Sequence, residues 1–415
     1  MSPHTHAPFN ATLLVLSAAT AAGVGCQEVG PEAVEAPTCA TLAGESEREL
    51  FTEAIVPVDA VRESLVFGGM DPGSLEPINF ELGFMLNDIN IDVTAPAELY
   101  VRALGRNEYL SGLRAGETDY QLVFDVCTDE DGAVLVEGDL AHITTIATEL
   151  QPLFEARADE CETHEAADES VRACRWFLND EPAVIAAGTL LGTAGGTGAT
   201  TYAPGLDVNL LDARAPNAFV NPERLGAEEG PGRAFRYGAC AYEYFVEPFR
   251  SSYLAAVGLG GVPRESEDAP CGTLSVGQSG TAAGVWIRED KASLEVSDNL
   301  VEVLEHLLVL APDQLDPAHR QVVSTELDEL SAHDGVNRLM QFDVISDGDV
   351  NPSLYAMRPG TIYCLDTEAF DAWAGYYLEL LDEGRRLKIE RHADSCAGTA
   401  STLRTFGPTA IEFVR

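Results

Sequence analysis

Asn87-Asp88-Ile89-Asn90-Ile91-Asp92-Val93-Thr94-Ala95-Pro96, then Leu140-Ala141-His142-Ile143-Thr144, then the glycine-rich Gly188-Thr189-Leu190-Leu191-Gly192-Thr193-Ala194-Gly195-Gly196-Thr197-Gly198 followed by Gly205-Leu206-Asp207-Val208-Asn209-Leu210 decide the fold of this chain. Ile89–Val93 alternates polar and branched apolar residues and ends at a proline, the pattern of a half-buried strand. The same signal recurs at Glu98–Ala103, Tyr120–Cys127 and Ala133–Val136. His142–Ala158 places Leu150, Leu153 and Phe154 on one helical face and predicts a short helix. Cys161–Cys174 is a charged excursion that predicts a disulfide-tied loop. The glycine-rich run is a tight connection. No Gly-Lys-Ser/Thr follows it, so it is not a phosphate loop.

Outward from this block, composition bounds the rest. The 415 residues suffice for two or three cores, and their formal net charge is −43. Lysine occurs only at 291 and 388. Phosphate binding needs clustered Lys and Arg, so a nucleic-acid partner is excluded. The charge reads as an acidic, soluble surface.

The N-terminus predicts export. Ala11–Gly25 is a small, apolar run too short to span a bilayer, and Cys26 follows Gly23-Val24-Gly25 as a lipid-acceptor cysteine would. This gives a signal peptide over 1–25, lipidation at Cys26 and an acidic, Pro-containing tether over 26–38, with any membrane attachment through lipid alone. Cleavage after Ala19-Thr20-Ala21, releasing a soluble chain, is the alternative. The expected location is the periplasm, the outer membrane or the cell surface. Without Cys26, eight cysteines remain at 39, 127, 161, 174, 240, 271, 364 and 396, an even number that predicts four disulfides in an exported chain. They allow 105 pairings; joining neighbours would give Cys39–Cys127, Cys161–Cys174, Cys240–Cys271 and Cys364–Cys396. No CxxC pair suggests a thiolate metal site.

Ala213–Gly232 is rich in Pro, Gly, Asn and Glu and marks a boundary between a domain over 39–215 and one over 233–415. The second region carries strand signals at Tyr242–Val246, Gly284–Ile287, Gln341–Ile345 and Thr361–Cys364. Tyr376–Leu381, Asp382-Glu383-Gly384 and Leu387–Glu390 predict a hairpin. Leu300–Leu310 fits helix or strand. Asp347-Gly348-Asp349-Val350-Asn351 opens like a calcium loop but has Pro352 where Gly is needed and Arg358 in place of the closing Glu. The aromatics Tyr237, Tyr242, Tyr244, Phe245 and Phe249 read as core rather than as a glycan groove.

In order and content, the opening block resembles the lysostaphin-type zinc endopeptidases of peptidoglycan, over about residues 80–215. That family writes His-x-x-x-Asp before an Ala-Ala-Pro turn, then Tyr-Ala-His-Leu, a glycine-rich loop and His-Leu-His. The resemblance implies a duplicated-hybrid-motif-like β-sandwich or barrel followed by the second β-rich domain, mainly β with few short helices. It also assigns positions. Asp92 stands at a zinc ligand and His142 at a catalytic histidine. Asp88, Asp207 and Asn209 stand where the family has histidines: a ligand, a proton shuttle and a ligand.

An amide oxygen is a poor zinc ligand beside imidazole, so zinc is not expected, and no cofactor is required. Asp88, Asp92, Asp207 and Asn209 would instead make a hard-oxygen set suited to calcium. Asp88, Asp92, His142, Asp207 and Asn209 are the candidate groove, and His142 is the candidate vestigial catalytic residue. The expected function is non-catalytic binding or scaffolding at cell-wall glycan or peptide, or at a surface protein. A divergent metallopeptidase recruiting His164, His306 or His319 is one alternative; a structural or adhesion lipoprotein is the other.

Overall fold

The computed structural model describes residues 36–42, 48–68, 82–112, 114–155, 158–166, 169–178, 181–195, 205–221, 232–266, 269–274, 277–293, 303, 305–325, 327–330, 339–345, 348–369, 372–392, 395–396 and 404–415. The expected signal, Cys26, most of the tether and Gly196–Gly198 lie outside them. The chain is mainly β with a few short helices, as expected. All four disulfides join sequence neighbours: Cys39–Cys127, Cys161–Cys174, Cys240–Cys271 and Cys364–Cys396. No helix among the described residues is long and apolar enough to cross a membrane.

The first unit is a 13-stranded sheet. Its strands are β1 (Val61–Leu65), β2 (Gly83–Leu86), β3 (Ile91–Thr94), β4 (Leu99–Tyr109), β5 (Thr118–Thr128), β6 (Val134–Ile146), β7 (Glu160–Ala166), β8 (Glu169–Phe177), β9 (Ala183–Ile185), β10 (Leu190–Ala194), β11 (Gly205–Asp212), β12 (Val257–Leu259) and β13 (Val262–Pro263). The main path runs β13-β12-β1-β2-β11-β6-β5-β4-β8-β7, with β10 bridging β3 to β6 and β9 on β4. In β11 alternation is complete: Leu206, Val208, Leu210 and Asp212 are buried, while Gly205, Asp207, Asn209 and Leu211 share the half-open face. Period two on one strand thus sets both the core and the candidate site.

Several local expectations are corrected. The helix is only Gln151–Glu155, because Ile143–Ile146 extends β6 and pairs with β10. Cys161–Cys174 is a hairpin of β7 and β8, with the two cysteines directly opposite. Ala241–Tyr244 is a 3-10 turn rather than a strand. There Tyr242 and Tyr244 are buried together with Phe245, and Tyr253 packs on Phe84, Tyr242 and Phe245. A half-buried strand could not bury neighbouring residues on both faces. Ile55 and Val56 are likewise buried side by side outside any strand. Residues 233–263, read from the sequence as opening the second region, pack on the first sheet through β12, β13 and the helices Gly232–Tyr237 and Phe249–Ala255. Tyr242 donates its hydroxyl to the Gly83 carbonyl at 2.6 Å.

The second unit is a closed eight-stranded barrel of β14 (Gly284–Arg288), β15 (Leu307–Pro312), β16 (Arg320–Thr325), β17 (Leu339–Asp343), β18 (Ile362–Ala369), β19 (Ala372–Leu381), β20 (Arg386–His392) and β21 (Ile411–Val414). The ambiguous run before Leu310 therefore ends in strand β15. Its unbroken apolarity has a cause: Leu307, Val309 and Ala311 face the core shared with the sheet unit, and Leu308 and Leu310 face the barrel interior. Trp286, Met340, Tyr376, Leu378, Leu387, Ile389 and Phe413 fill that interior. It is a packed core, as the small diameter of eight strands requires. The expected hairpin is β19–β20.

Candidate functional site

A β-bulge sets the site. Leu140 pairs with Leu122 and Ile143 with Tyr120, so Ala141 and His142 on β6 face the single residue Gln121 on β5. His142 takes the left-handed conformation, φ 65°, which is costly for a residue with a side chain. Strict alternation would send His142 into the core between Leu140 and Ile143. The extra residue turns it to the half-open face instead, the re-aiming that bulges perform. At this residue β6 also changes partner, from β11 (Ala141 opposite Asp207) to β10 (Ile143 opposite Ala194).

Both ring nitrogens of His142 meet carboxylates. Nδ1 lies 2.7 Å from Asp119 Oδ2 and Nε2 lies 3.0 Å from Asp207 Oδ2. Asp119 is the first cause of a His142 pKa held well above its ordinary 6.5, against partial desolvation and with help from Asp207. His142 is therefore an imidazolium near neutral pH and donates to both acids. Burial alone would raise Asp119, but the charges of His142 and Arg114 hold it below its usual value. Arg114 lies 3.6 Å from Asp119 and stacks 3.7 Å from the Tyr109 ring, with Tyr109 Oη 3.4 Å from the same carboxylate.

One register step away is a second polar set. Asn209 stands opposite Asp139. Its amide donates to Asp139 Oδ1 at 3.3 Å, and its oxygen accepts from the Leu82 backbone N–H at 3.0 Å. Gln121 also donates to Asp139 Oδ1, at 3.1 Å. Burial pushes the Asp139 carboxyl up to about 6; the Asp207 and Glu137 charges add to this, and the two amide donors oppose it. Further along the face Glu137 is held by Arg102 and by Arg233, 2.6 Å away.

Of the residues singled out in the sequence, His142 and Asp207 are brought into contact, and Asn209 lies two residues along β11 from Asp207, on the same face. Asp88 is exposed and its carboxylate accepts from the Ile89 N–H at 2.8 Å. Asp92 is exposed on β3, opposite Thr193. Glycine fits where the chain passes close: a Cβ at Gly192 would meet Thr145 O at 1.9 Å, and one at Gly195 (φ 109°) would meet Asp88 O at 2.6 Å. The expected four-oxygen set of Asp88, Asp92, Asp207 and Asn209 is not assembled as a cage; among the described residues no group of three or more His, Cys, Asp or Glu could hold a metal ion. Asp207 is spent on His142, and Asn209 on Asp139 and Leu82. Of the positions that the resemblance makes ligands, only Asp92 keeps the family's residue, while Asp88 accepts from its neighbour's N–H and Asn209 is engaged, so the residues present do not fit a zinc centre.

His164 lies on β7, at the far end of the sheet path from β11, and His306 and His319 flank barrel strands β15 and β16. Asp119, Gln121 and Asp139 were missed from the sequence. Their signal was present: Asp119-Tyr120-Gln121-Leu122 alternates, with Asp119 bonded to His142 and Gln121 opposite the bulge that carries it. No family model, no curated protein and no solved structure matches this chain.

Proposed function

We propose that this is an exported envelope protein, anchored by lipid at Cys26, whose sheet unit is a lysostaphin-type scaffold that no longer performs zinc hydrolysis. It binds cell-wall peptide or glycan on the half-open face of β5, β6 and β11. The observation that carries this reading is the clamp on His142. The histidine that the resemblance makes catalytic is locked between Asp119 and Asp207, and Asp207 occupies a position that the family gives to histidine. With both nitrogens taken up by protein carboxylates, the imidazole positions a polar face and presents neither nitrogen to a substrate. Four disulfides fit a secreted or extracellular setting.

The test incubates the disulfide-intact chain with purified insoluble peptidoglycan. Retention in the pellet without release of soluble fragments is the expected result. Release of fragments would establish the divergent-peptidase reading, and absence from the pellet would leave a structural lipoprotein.

A further inference from the structure

We propose that β7 is a docking edge for an extended segment of another chain carrying basic side chains at alternate positions. This surface ends the sheet path four strands beyond β6 and is independent of wall binding at the His142 face. β7 spans Glu160–Ala166, is the terminal strand of the path, and pairs only with β8 among the described residues. Its outward N–H and C=O groups are the template that strand addition uses.

Two features suit the edge to this use. The Cys161–Cys174 disulfide ties it to β8 at directly opposed positions, so the strand is held in place before a partner arrives and less ordering is lost on docking. Glu160, Cys161, Glu162 and Thr163 are exposed in succession, and the Glu162 side chain retains 78% of its surface. Glu160, Glu162 and His164 share one face of the strand. Arg175 faces Glu160 from β8, while Glu162 stands opposite Ala173 and lies 3.9 Å from His164 Nε2 on its own strand, so no cation faces it from β8.

Charge selects the occupant. Acidic edges repel one another, and the chain's net charge is −43, which disfavours pairing with a second copy. A partner strand with basic residues every second position would set them opposite Glu160 and Glu162 while its backbone completes the ladder.

The test measures binding of a fluorescent, acetylated Thr-Lys-Thr-Lys-Thr-Lys-Thr peptide to the disulfide-intact chain by anisotropy. Saturable binding is expected, lowered roughly 2- to 30-fold by Glu160→Gln with Glu162→Gln, two exposed changes that leave the fold intact. The same peptide N-methylated at alternate amides keeps its charge but cannot extend a ladder, and it should not bind. Equal binding of the N-methylated peptide would show simple charge attraction and overturn the proposal. So would equal affinity of the double variant, or no binding at all.

Discussion

Asp139→Asn should stabilise the protein at neutral pH and do much less in acid. In the fold the Asp139 carboxyl titrates at about 6, against an ordinary value of 3.8, chiefly because it is buried and secondarily because Asp207 and Glu137 are near. A raised carboxyl pKa means that the folded state holds its proton more tightly than the unfolded chain. Its penalty is absent below the unfolded value and grows as pH rises to the folded one. With 1.36 kcal/mol per pKa unit, ionised Asp139 costs about 3 kcal/mol at pH 7.5 and about 1 kcal/mol at pH 4.5. Asparagine keeps an oxygen that can accept from Gln121 and Asn209 and carries no charge at either pH. Urea unfolding followed by circular dichroism should show a gain at pH 7.5 about 2 kcal/mol larger than at pH 4.5. A gain equal at both values would refute the electrostatic account. A loss at pH 7.5 would mean that the ionised carboxylate is the form the fold needs.

Four further outcomes follow from the structure. His142→Ala leaves Asp119 buried without its main counter-ion and should cost about 3 kcal/mol or more; adding Asp119→Asn should recover part of the loss in a double-mutant cycle. Gly192→Ala forces a Cβ into the Thr145 carbonyl and should separate β10 from β6, read as accelerated hydrogen exchange at Ile143–Ile146. Peptide mapping without reduction should recover the four neighbour pairs. Replacing Cys39 and Cys127 together by serine, which frees a loop with a sequence separation of 88, should cost at most about 4–5 kcal/mol in urea unfolding.

What the sequence showed and what it hid have physical causes. Strands with one half-open face, such as β3 and β5, announced themselves by alternation. Segments buried on all sides did not: Tyr242 and Tyr244 are strand-forming aromatics, yet tertiary packing winds Ala241–Tyr244 into a 3-10 turn. The run from Ile143 lost its helical reading to β10, a partner some fifty residues away that no local pattern reveals. At the site, His142, Asp207 and Asn209 were legible as residues, but their partners were not. Asp119 meets His142 only because a bulge inserts one residue, and a bulge shifts register without leaving a compositional mark.

The closed barrel carries a further consequence. Its seam is made where β14, at 284–288, meets β21, at 411–414, so the first strand must wait for the last. Until they join, Ile287 and Arg288 on one side and the Arg386–Ile389 stretch of β20 on the other are open edges of an otherwise finished sheet. A chain stopped short of Ile411 would leave both edges open for good. Such a fragment should associate with its own kind rather than remain a folded domain, whatever the quality of the core it has already assembled.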